Sequence, residues 1–140
     1  MAPEAYLLDT SALLTLLEDE AGADRVETVL RQERVFLPWL TLLEAYYVTY
    51  QERGQAEADR RYALIKELPA TILWEMDEPI LLKAARLKAR HRLSLADAIM
   101  AALADHKEAV LVHKDAEFEV LSGELELEAL PYKAPGENQH

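Results

Sequence analysis

Four carboxylates, Asp9, Glu44, Asp97 and Asp115, are the residues of the chain whose surroundings suggest chemistry. Asp9 closes the apolar run Ala5 to Leu8, and Asp115 follows the apolar run AVLV at 109–112 after only two residues. An Asp just past a strand has an everyday role as a helix N-cap or turn former. Asp97, three residues after Ser94, fits a capping box in the same way. Glu44 resists that reading, because it sits between Leu43 and Ala45 in LTLLEAYYVTY. A carboxylate there must be solvated in a cleft, paired, or bound to a metal. Bringing several carboxylates together raises their pKa values unless a cation neutralises them. A cluster of Asp9, Glu44, Asp97 and Asp115 would therefore call for a hard divalent ion with oxygen ligands, Mg²⁺ or Mn²⁺. Such an ion activates water, polarises a phosphate and offsets charge on a leaving oxygen, so the matching reaction is phosphodiester hydrolysis.

Several elements must hold these acids in place. Ala5–Leu8 reads as a short buried strand, followed by a turn and a helix over TSALLTLLEDE, where the apolar residues recur at helical spacing. A second helix is expected through Val26 to Arg31, a strand at VFL (35–37), and a helix carrying Leu40, Leu43, Tyr47 and Tyr50 along one stripe. Gly54 ends that helix, and another runs from about Gln55 to Leu68 before the strand TILW at 71–74. Pro79 opens a helix that reaches about His91, Ser94 starts one through Ala104, and AVLV is the fourth strand. A brief helical turn after Asp115 and a weak strand near Leu125 to Leu130 complete the pattern. Short apolar strands alternating with longer helices predict a three-layer α/β/α domain on a central, mostly parallel sheet. In such a sheet the ligand site lies beyond the carboxyl ends of the strands, where strand order reverses. One domain is expected over 1–131, with a polar C-terminal tail over 132–140.

The composition excludes several classes. The chain has 140 residues, 51% of them hydrophobic and 29% charged, which fits a globular domain. It has no cysteine, so disulfides, thiolate nucleophiles and Cys-ligated metals are out, and any metal must sit on carboxylate or histidine. His113 is a lone histidine with no second one at metal spacing. No apolar stretch approaches the roughly 20 residues of a membrane span, and no secretory signal pattern is seen, which points to the cytoplasm. The net charge of -11 argues against a general nucleic-acid binder. Yet Lys83, Arg86, Lys88, Arg90, His91 and Arg92 form a basic run, either a solvated helix face or a local phosphate track.

The segments LLDTSALLTLL, LTLLEAYY, LSLADAIMAALA and VLVHKDAEF resemble, in this order and spacing, the four acidic motifs of PIN domains. The resemblance covers almost the whole chain, from about Tyr6 to Leu121, and the length is like that of VapC-type toxins. It implies a Mg²⁺- or Mn²⁺-dependent endoribonuclease acting on RNA, with Asp9, Glu44, Asp97 and Asp115 as catalytic and metal-binding acids. It also implies that Ser11, with Thr10 as a helper, orders the site, that a small antitoxin is the partner, and that the protein is a homodimer. Many members carry Thr or Ser two residues before the fourth acid; here His113 and then Lys114 stand there, and Lys114 becomes a candidate phosphate contact. RNA is expected on Arg86, Lys88, Arg90 and Arg92 as well. The apolar stripe Leu14, Leu17, Val26 and Leu30, with Trp39, Tyr46 and Tyr47, is either helix packing or an antitoxin surface.

Other readings fit less well. Phosphatases of the haloacid-dehalogenase type need a second Asp two residues after the first, where this chain has Ser11. A phospho-acceptor receiver would need an acidic pair closing the first strand, and none is present. A catalytically inert PIN-like scaffold is the remaining alternative.

Overall fold

The strands are apolar on both sides because both of their faces are covered. In a computed structural model that describes residues 5–134, β1 (Ala5–Leu8), β2 (Arg34–Pro38), β3 (Thr71–Leu73), β4 (Val110–His113) and β5 (Leu127–Ala129) form one sheet in the order β3-β2-β1-β4-β5. Every pairing is parallel. Six α-helices connect them: α1 (Thr10–Leu17), α2 (Ala23–Gln32), α3 (Trp39–Arg53), α4 (Gln55–Lys66), α5 (Glu78–Arg90) and α6 (Leu95–His106). A 3-10 helix over Ala116–Leu121 links β4 to β5.

Side chains alternate along each strand, so each strand feeds two cores. Tyr6, Leu8, Val35, Leu37, Val110 and Val112 pack with residues of α1 and α2. Ala5, Leu7, Phe36 and Leu111 pack on the other face with α5, α6 and the 3-10 helix. This is the expected three-layer α/β/α architecture, and the sheet is wholly rather than mostly parallel.

Packing decides two points that the sequence leaves open. Leu14, Val26 and Leu30 are buried, and Leu17 packs against the same core, so that stripe joins helices to the sheet and offers no docking face. On α3 the inward face is Leu42, Ala45 and Thr49, while Leu43, Tyr47 and Tyr50 of the apolar stripe point outward. Small and β-branched residues let α3 approach its neighbours closely, which leaves the bulkier aromatics outside.

At the C-terminal end, Tyr132 and Lys133 make ordered contacts: the Tyr132 hydroxyl donates to Glu119 Oε1 at 3.0 Å, and Lys133 Nζ lies 2.8 Å from Glu20. The rest of the expected tail, 135–140, lies outside the described residues.

Candidate metal centre

The chain leaves β1 and β4 side by side, and these are the strands between which the connections change direction across the sheet. Asp9 follows β1 directly and caps α1, its carboxylate accepting the Ser11 hydroxyl at 2.6 Å and the Ser11 amide at 3.3 Å. The Ser11 hydroxyl in turn accepts the Lys114 amide at 2.9 Å, which locks the turn after β1 to the turn after β4.

Glu44 arrives on α3, whose depth is fixed one turn earlier: the buried Thr41 hydroxyl donates to the carbonyl of Leu8 at 2.9 Å. Glu44 then accepts the Thr10 hydroxyl at 2.6 Å. Asp97 sits in the first turn of α6, where its amide donates to the Ser94 hydroxyl at 3.1 Å. Asp115 caps the 3-10 helix by accepting the Glu117 amide at 3.0 Å. Capping and site geometry thus coincide: a side chain that must point back over a helix start is already aimed at the sheet edge.

Asp9, Glu44, Asp97 and Asp115 line a single cleft of about 130 Å³, together with Thr10, Ser11 and Tyr47. One carboxylate oxygen from each of Asp97, Asp115 and Glu117 lies within 4.8 Å of the others. Asp97 Oδ2 is buried without a hydrogen-bond partner. Burial, and then repulsion from Asp9 and Asp115, pushes Asp97 up to about 9. Burial likewise raises Asp9 to about 6, against the lowering effect of the Ser11 hydroxyl. Without a cation such a group of acids is held partly protonated. An orphaned carboxylate oxygen, an all-oxygen donor set and mutual repulsion all fit a hard divalent cation.

Sequence reasoning missed Glu117. Its signal was the second acid in DAEF: once Asp115 caps the turn by taking the Glu117 amide, the Glu117 side chain is brought round beside it. His113 is not among these acids. It is 1% exposed, its Nδ1 accepts the Asp115 amide at 3.1 Å, and burial lowers its pKa, so it supports the turn as a neutral ring.

The basic run takes a different place from the acids. Lys83 pairs with Asp105 at 2.5 Å, and His91 and Arg90 approach Glu124 at 2.7 and 3.9 Å. Arg86, Lys88 and Arg92 are exposed, and none of the run lines the acid cleft. Lys114, by contrast, is nearly buried beside Glu20, at 3.6 Å, in a cavity that adjoins the acids.

A family model described as the PIN domain matches residues 6–124, a span that contains all four acids and Glu117. The chain belongs to the PIN domain family. Its PIN fold is shared with a VapBC complex from Rickettsia felis bound to promoter DNA, at a TM-score of 0.72, 15% identity, and coverage of 91% of this chain and 99% of that one. The VapBC-1 complex of nontypeable Haemophilus influenzae gives 0.70 at 21% identity, covering 89% and 97%. The Mycobacterium tuberculosis toxin VapC20, which cleaves the sarcin-ricin loop, gives 0.69 at 17% identity, covering 90% and 99%. Among curated proteins, none matches the chain. No helix among the described residues is long and apolar enough to cross a membrane.

Proposed function

We propose that this PIN-domain chain is a Mg²⁺- or Mn²⁺-dependent endoribonuclease and the toxin of a VapBC-type toxin–antitoxin pair. The observation that carries the reading is the convergence of Asp9, Glu44, Asp97 and Asp115 on one cleft, with Asp97 Oδ2 buried and unpartnered. Asp97, Asp115 and Glu117 are the residues that would hold the ion, with Asp9 beside them and Glu44 across the cleft. When bound, the ion supplies an activated water and offsets charge on the leaving oxygen.

The chain's own part is orientation. Ser11 fixes Asp9 and the Lys114 amide through one hydroxyl, and Thr10 holds Glu44, so the acids meet a phosphate already aimed. Arg86, Lys88 and Arg92 form an outer basic surface that draws RNA toward an otherwise acidic molecule, and Arg90 belongs to the same run.

The antitoxin is placed on a groove lined by Trp39, Leu42, Leu43, Tyr46, Tyr47 and Trp74, of about 650 Å³. Tyr47 also lines the acid cleft, so a segment seated there sits at the mouth of the site. A solved toxin–antitoxin complex of the same fold supports the partner, and the apolar lining is what a partner helix or strand would cover. A homodimer and a cytoplasmic location complete the reading.

The test is cleavage of a panel of structured and unstructured RNAs with Mg²⁺ or Mn²⁺, against EDTA. Asp97→Asn and Asp9→Asn are expected to lose at least about a hundredfold of the rate, the scale of removing a group that stabilises the transition state. Equal cleavage in EDTA, or full activity in both variants, would instead favour an inert scaffold.

A further inference from the structure

A second cavity, of about 350 Å³, opens beside the acid cleft and shares Ser11 and Asp115 with it. Its other lining residues include Glu20, Lys114, Tyr132 and Lys133. The two ammonium groups converge on one carboxylate: Glu20 Oε1 is 3.6 Å from Lys114 Nζ, and Glu20 Oε2 is 2.8 Å from Lys133 Nζ. Both lysine side chains are almost withdrawn from solvent, at 5% and 10% exposure, so their charges act through a poorly screened medium. Long lysine side chains ordinarily keep their ammonium groups in water, and two of them turned inward within reach of the acid cleft are unusual. Tyr132 stands at the rim. The residue is 41% exposed, its ring lies 6.3 Å from that of His113, and its hydroxyl is anchored to Glu119 Oε1 at 3.0 Å.

This combination has a chemical meaning. A polyanionic strand entering a cleft of carboxylates meets repulsion everywhere except where cations adjoin the cleft. Lys114 and Lys133 are such cations, and Lys114 is tied to the site through its amide on Ser11. An exposed, anchored aromatic ring is a stacking surface for a base. The volume is in the range of small-ligand pockets.

We propose that this cavity is a nucleotide subsite for the RNA strand, in which Lys114 and Lys133 take a phosphate next to the scissile one and the Tyr132 ring takes its base. Glu20 holds the two ammonium groups when no RNA is present and competes with the phosphate for them. The subsite rests on the ribonuclease reading above, and it adds a place and a recognition chemistry for the substrate that the four acids do not provide.

The experiment uses the full chain with Ca²⁺ in place of Mg²⁺ or Mn²⁺ and a fluorescently labelled RNA hexamer, whose integrity after each titration is verified on a denaturing gel. Binding is titrated at several salt concentrations for the wild type, Lys133→Ala, Tyr132→Ala and Glu20→Gln, with thermal unfolding of each variant as a check on folding. Lys133→Ala is expected to weaken binding about tenfold and to flatten the salt dependence by roughly one phosphate contact. Tyr132→Ala weakens binding at an unchanged salt slope. Glu20→Gln, which removes the competing carboxylate, is expected to tighten binding several-fold, and to lose most of that gain when combined with Lys133→Ala. Amide resonances of Lys114, Tyr132 and Lys133 should move on titration.

If the wild type binds the hexamer but Lys133→Ala and Tyr132→Ala bind equally well, or Glu20→Gln binds more weakly, the subsite is overturned and the ribonuclease reading stands. Absence of any binding by the wild type also overturns the subsite, while cleavage of the RNA panel with Mg²⁺ or Mn²⁺ decides the ribonuclease reading separately.

Discussion

At the scale of single residues, a carboxylate buried among other carboxylates trades stability against the capacity to bind a cation. Asp97 is pushed up to about 9 by burial, then by Asp9 and Asp115, and Asp9 to about 6 mainly by burial. A folded-state pKa above the ordinary value of 3.8 means that the folded protein holds more protons than the unfolded chain between the two values. Stability contributed by these acids is therefore complete below about pH 4 and is lost as pH rises toward 9. In EDTA, the unfolding temperature should fall between pH 5 and pH 9, and Mn²⁺ should remove most of that fall by binding the ionised site. Asp97→Asn should flatten the EDTA profile and raise the unfolding temperature at pH 8. An EDTA profile that rises over this range and is untouched by Asp97→Asn would show that Asp97 is not under the strain its neighbours imply. Glu18 behaves in the opposite sense: hydrogen bonding and charge from Arg61, and charge from Arg53, lower its pKa, so its contribution is lost only as the protein is acidified.

At the scale of elements, each site residue is delivered by a feature with a reason of its own. The Thr41 hydroxyl on the Leu8 carbonyl sets α3 against the end of β1, and that puts Glu44 within reach of Thr10. The C-terminal segment is set by Gly22, whose φ of +104° is in the region that favours glycine. A Cβ there would also stand 3.2 Å from Leu130 Cβ and 3.2 Å from Pro131 Cδ, just ahead of Tyr132. Gly22→Ala is expected to cost on the order of 1–3 kcal/mol through backbone strain and this contact. The substitution should also displace the end of the chain that carries Tyr132 and Lys133. Thermal unfolding and proton NMR of the Tyr132 ring would check this, and an unchanged unfolding temperature would mean that the loop before α2 adapts freely.

At the scale of the whole molecule, the acid cleft and the apolar groove meet at Tyr47, which lines both. A partner on the groove would therefore control access to the acids. Leu43→Glu and Trp74→Ala change exposed residues of the groove, at 51% and 56% exposure, and should weaken antitoxin binding by at least tenfold while leaving RNA cleavage by the free protein intact. Co-purification and calorimetry with the product of a small reading frame adjoining the gene would measure it, and undiminished affinity in both variants would move the interface elsewhere. The sequence alone determined the strands, the helices and the four acids, because hydrophobic periodicity, caps and apolar runs are local signals. It also determined the family, through four motifs in order. Only the tertiary structure decided the rest: which face of α3 is inward, that the stripe of α1 and α2 is core, and that Glu117 stands beside Asp97. It likewise set Lys114 and Lys133 against a single carboxylate, a pairing of positions 20, 114 and 133. Such contacts depend on how elements pack across the sheet, and side-chain spacing along one element carries no information about a neighbour far away in the chain.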